Sequence, residues 1–129
     1  MNVEQKDNLE HLKSKVRKLE KILKESKYKN ILHYMEKSYI TLYGVRVVTY
    51  FRENFIFLII NGDFNEKFIS LEEVNDILLF NILLYSVQNF LSSLLNNVKF
   101  GVCNNPTCKD IAKSLDSLCV EFSNLETFK

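Results

Sequence analysis

Three cysteines are the residues of this 129-residue chain best equipped for chemistry, and their spacing limits what they could do. Cys103 and Cys108 form a C-x4-C pair, with Cys119 eleven residues further on. A closed tetrahedral zinc site needs four soft ligands, and neither His11 nor His33 stands in a paired ligand motif that would complete one. Asn104-Asn105-Pro106-Thr107, between the first two cysteines, has its own reason to exist as a turn followed by a helix cap. Cys119 shares the apolar side of the final helical segment with Leu115 and Phe122, where it reads as packing. A cysteine nucleophile would need a positioned base, and both histidines lie far upstream. Three isolated glycines cannot form either phosphate-binding loop. Glu72, Glu73 and Asp76 read as partners of a helix dipole rather than as an acid/base pair. No catalytic residue, cofactor or metal ligand is assigned, and a non-enzymatic protein is expected. The start of the chain lacks a secretory pattern, so free thiols in a reducing, intracellular setting are expected.

Two hydrophobic periods meet at Gly44 and set the elements around these residues. Leu9, Leu12, Val16, Leu19 and Leu23 recur at steps of 3, 4, 3 and 4, an a/d heptad seam that calls for a partner helix. A second apolar run, Tyr28, Leu32, Met35, Tyr39 and Leu42, is spaced 4, 3, 4 and 3 but offset from the first, as where a helix leaves its partner to pack on its own head. One helix from about residue 3 to about residue 42 is therefore predicted. The division is a coiled-coil helix over residues 1–43 and a small head over 44–129, with Leu9, Leu12, Val16, Leu19 and Leu23 as the dimer interface. The competing reading folds this helix back onto its own domain.

Beyond Gly44 the period shortens. Residues 45–51 and 55–60 are β-branched and aromatic runs separated by Arg52-Glu53-Asn54, and a third short strand is predicted around 67–70, after a turn at Asn61-Gly62-Asp63. Ser70-Leu71-Glu72-Glu73 is a capping-box pattern from which a long helix should start. Residues 77–98 contain no charge and are long enough to cross a bilayer. Asn81, Ser86, Gln88, Asn89 and Asn96 are expensive in hydrocarbon, however, so a core helix lying on the sheet is the better reading. Ile111, Leu115, Leu118 and Phe122 form one face of a short closing helix. The fold class is α+β, with an N-terminal coiled-coil helix, a three-strand antiparallel sheet, a long helix and a short C-terminal helix.

Charge is nearly balanced, at +1 net with a mean hydropathy of −0.09. Residues 1–43 hold ten basic and six acidic side chains, +4 in all, which leaves −3 for the remainder. The basic stretch Lys13-Ser14-Lys15-Val16-Arg17-Lys18 is interleaved with seam residues, as on a solvated helix face, so nucleic acid is not an expected partner.

The order of elements resembles the RWD-type heads of coiled-coil kinetochore proteins: the small subunits of the outer-kinetochore complex, the monopolin coiled-coil subunit and the C-terminal domain of the Mad-type checkpoint protein. The resemblance is carried by Leu42-Tyr43-Gly44-Val45-Arg46-Val47 at the helix-to-sheet junction, by the strand at 55–60, and by Ile69-Ser70-Leu71-Glu72 leading into Leu79-Phe80-Asn81-Ile82-Leu83. The stalk is shorter than in the outer-kinetochore subunits, and residues 100–129 add a helix that their smallest heads lack. The resemblance implies a nuclear scaffold, a homodimer or heterodimer through its first helix, whose head recruits a protein at kinetochores or related segregation sites. The alternative is a small membrane-associated or host-interaction factor that uses the apolar helix 77–98.

Overall fold

The structure, a computed structural model, describes residues 3–35, 37–62, 65–69, 74–100 and 107–125. Its elements are helix α1 (Val3–Leu23), a 3-10 turn (Ser26–Tyr28), the short helix α2 (Lys29–Tyr34), strands β1 (Lys37–Leu42), β2 (Val45–Arg52), β3 (Phe55–Gly62) and β4 (Asn65–Ile69), and helices α3 (Ile77–Phe100) and α4 (Thr107–Ser123). The class is α+β, as the sequence predicts. The sheet has four antiparallel strands in the order β1-β2-β3-β4, one more than expected.

The extra strand comes from residues predicted to be helical. The first helix ends at Leu23, and at Glu25 the backbone is extended, with φ −64 and ψ 142. Residues 37–42 then pair with β2, with Ser38 opposite Thr49, Ile40 opposite Val47 and Leu42 opposite Val45. Ser38 is buried and Ile40 and Leu42 are half-buried, whereas Tyr39 and Thr41 between them are exposed. A period of two was present beneath the helical spacing, and pairing with β2 selects it. Two-residue loops close the first hairpins. Tyr43 and Gly44 have φ of 52 and 76, and Glu53 and Asn54 have φ of 54 and 71, the left-handed pairs that match strand twist. Asn61 and Gly62, read from the sequence as a turn, are the last ladder residues of β3, opposite Glu66 and Asn65.

All four helices gather with the inner face of the sheet around one core. Helix α3 packs against β1 and β2, and α1 against β3. Val47, Ile56 and Leu58 of the sheet join Phe80, Leu84, Phe90 and Leu94 of α3 and Ile111, Leu115 and Phe122 of α4. Helix α3 begins at Ile77, not at Ser70, because the Asp76 carboxylate accepts the Leu79 N–H at 2.8 Å. The residues of the predicted capping box, Ser70, Leu71, Glu72 and Glu73, lie outside the described ones. Helix α3 is long and apolar enough to cross a membrane, but 56% of its most apolar 18-residue window is buried in the fold, with Asn81 and Ser86 among the buried side chains. Two polar ties fix α1. Buried Glu20 accepts the Ile56 N–H of β3 at 2.8 Å, and Glu121 of α4 accepts from Lys18 at 2.9 Å and Lys15 at 3.3 Å.

Candidate functional site

The five residues predicted as a dimer seam are core residues. Leu9, Leu12, Val16, Leu19 and Leu23 are 0–6% exposed within a single chain and belong to the same cluster as α3 and α4. This is a correction: the stripe is covered by its own domain, and α1 is not a projecting stalk. The physical reason is that one apolar stripe on α1 satisfies intramolecular packing as well as it would a partner helix, and α3, α4 and β3 supply the facing surface.

The residues considered for chemistry are scattered. His11 and His33 are exposed on α1 and α2, and Cys103 lies outside the described residues. Cys108 is disulfide-bonded, which corrects the expectation of free thiols, while Cys119 is free. Among the described residues no group of His, Cys, Asp and Glu is disposed to hold a metal ion. Cys119 borders a groove of ≈ 510 Å³ between α3 and α4, together with Gln88, Ser92, Asp116, Val120 and Ser123. Burial, and secondarily the Asp116 carboxylate, pushes the Cys119 thiol above its ordinary pKa. Such a thiol is a poor nucleophile at neutral pH.

A second candidate surface among the described residues is the outer face of the sheet. Strand alternation sends Val45, Val47, Thr49 and Phe51 inward and Arg46, Val48, Tyr50 and Arg52 outward on β2. The register then aligns Tyr39 of β1 with Val48, and Phe57 and Ile59 of β3 with Tyr50 and Val48. None of Val48, Tyr50, Phe57 and Ile59 belongs to the core cluster or packs against it. Val48 is nevertheless buried, because its outer-face neighbours shield it, and Tyr39 and Phe55 are 55% and 58% exposed. Tyr50 and Phe57 stack across the strands with centroids 5.5 Å apart and planes at 21°, and the Arg46 guanidinium lies 5.1 Å over the Tyr39 ring. The result is an ordered aromatic and aliphatic surface, preassembled before any partner arrives.

Local sequence pattern marks β2 and β3 but not this face, because the face needs β1 and the register that sets Tyr39 beside Val48. The signal available was Ser38-Tyr39-Ile40-Thr41-Leu42, an alternating run ahead of a two-residue loop containing Gly. No family model matches the chain, and neither the curated proteins nor the solved structures yield a match.

Proposed function

We propose that the chain is a non-enzymatic interaction module that recruits a partner protein through the outer face of its sheet. The observation that carries this reading is that Val48, Tyr50, Phe57 and Ile59 form an apolar face separate from the core cluster. Aromatic residues and arginine concentrated on one patch are the composition of interface centres, and a sheet face this apolar gains when another surface covers it. The RWD-type resemblance adds a setting, at kinetochores or a related chromosome-segregation site in the nucleus.

Photo-cross-linking from within the full chain tests the surface. A benzophenone amino acid at Phe57 should give a protein adduct in the cells that make this chain, and the same probe at Ser117, exposed on α4, should not. Equal adducts from both positions, or none from Phe57, would remove the reading. Imaging of a fluorescent fusion tests the setting: discrete nuclear foci in mitosis are expected, and a uniformly cytosolic signal would discard it.

A further inference from the structure

We propose that the occupant of the outer sheet face is an apolar segment of a partner protein flanked by Asp or Glu side chains. This deepens the proposed function and rests on it. The evidence is the charge pattern around the apolar centre. Strands β1, β2 and β3 carry Lys37, Arg46 and Arg52 and not one Asp or Glu, and β4 adds a single acidic residue in the outward register row, Glu66, opposite Asn61. All three cations project from the outer face: Lys37 is opposite Tyr50, Arg46 shares the outward phase of Val48, and Arg52 is opposite Phe55. The carboxylate of Glu53, in the turn, lies 3.9 Å from Arg52 with both side chains more than 70% exposed, a weak solvent-screened pair that Arg52 can exchange for a carboxylate of a docked partner. An apolar centre with cations at its borders is complementary to an apolar segment with acidic flanks.

Two other occupants fit less well. A second copy docked face to face would set these three cations against their equivalents with one acidic strand residue per chain, Glu66 of β4, to answer them, and an excess of like charges brought together in an interface is unfavourable. Single-stranded nucleic acid would meet the positive charge but needs free ring faces for its bases. Here Tyr50 and Phe57 stack on each other and Arg46 covers Tyr39, so several of those faces are already engaged within the chain. What remains is the outer sides of these rings and the half-buried Ile59 side chain, packed over buried Val48, a surface suited to aliphatic and aromatic side chains.

The test is selection on the full chain from a random peptide library of about 16 residues, enough for an apolar centre of about eight residues, which spans the roughly 27 Å of an eight-residue strand, with about four flanking residues on each side. The expected result is enrichment of peptides with an apolar centre flanked by Asp or Glu. Binding of one such synthetic peptide should fall at least about tenfold with Phe57→Ser, and by a similar factor with Arg46→Glu plus Arg52→Glu, while the double lysine variant retains it. Tyr39→Ser, at a more exposed position of the same face, replaces Phe57→Ser if the latter fails to fold. Loss with Phe57→Ser but none with the charge reversals would overturn the acidic partner and leave the interaction surface standing. Indifference to both would overturn the inference and the proposed function together. Enrichment of basic peptides, competition by a uridine oligomer, or a dimer of the chain itself that Phe57→Ser disrupts would each overturn the acidic-segment assignment.

Discussion

Truncating Leu12 and Leu19 separates a core stripe from a coiled-coil seam. Both are 0% exposed in the single chain. Removing a buried leucine side chain to alanine costs about 2.7–5 kcal/mol, the lost transfer free energy plus the cavity left behind. The two residues lie seven positions apart on α1, about 10 Å along the axis, so their costs should nearly add, to roughly 5–10 kcal/mol. That is comparable with the whole stability of a domain, about 5–15 kcal/mol. Each single variant should therefore remain folded, with its urea midpoint lowered by about 1–3 M at the usual slopes, and the double variant should be largely unfolded in buffer. The assay is a urea titration followed by far-ultraviolet circular dichroism at two protein concentrations roughly tenfold apart, since dimer stability depends on concentration and monomer stability does not. The reasoning is refuted if the wild-type midpoint rises with concentration and the double variant sediments as a folded monomer.

Two further outcomes follow from the local geometry. Asp76→Ala should destabilise the chain by about 1 kcal/mol through loss of the cap on the Leu79 N–H, and Asp76→Asn should retain most of it; equal melting temperatures for Asp76→Ala and wild type would remove the cap. Because burial and then Asp116 raise the Cys119 thiol pKa, the reactive thiolate is scarcer at neutral pH than in an ordinary cysteine, so iodoacetamide should modify it slowly, accelerate above the usual thiol range, and act faster on Asp116→Asn. Alkylation at neutral pH as fast as that of an unstructured cysteine peptide would contradict this environment.

What was legible in the sequence was whatever a single period determines. Strands β2 and β3 are β-branched and aromatic runs on either side of a polar loop, and α3 and α4 each show an unbroken apolar face, so these elements follow from local pattern. The region from Tyr28 to Leu42 carries two patterns at once. Tyr28, Leu32 and Met35 belong to the 3-10 turn, the helix α2 and its C-cap, whereas Tyr39 and Leu42 lie on β1 with side chains on opposite faces. Their helical spacing is coincidental, and only the ladder to β2 breaks the tie. Glu20 was equally hidden. A carboxylate beside Leu19 in a charged helix reads as solvated, yet it reaches the amide of Ile56, a partner 36 residues away. The outer face escaped detection for the same reason as β1, since a face exists only once register is known.

The clasp between the first and last helices has a consequence for synthesis. Lys18 and Glu121 are separated by 103 positions, and a ribosome adding about 5–20 residues per second needs roughly 5–20 s to cover that distance. Throughout that interval the leucines of α1 have emerged without α4, which supplies part of their cover beside α3 and β3. The heptad spacing that looks like an invitation to another chain is then real, but brief: a sticky stripe on an unfinished polypeptide. A nascent chain stalled before Thr107 would keep displaying it, and so would a product cut short at the same point, which makes this stripe the feature a holdase would meet first.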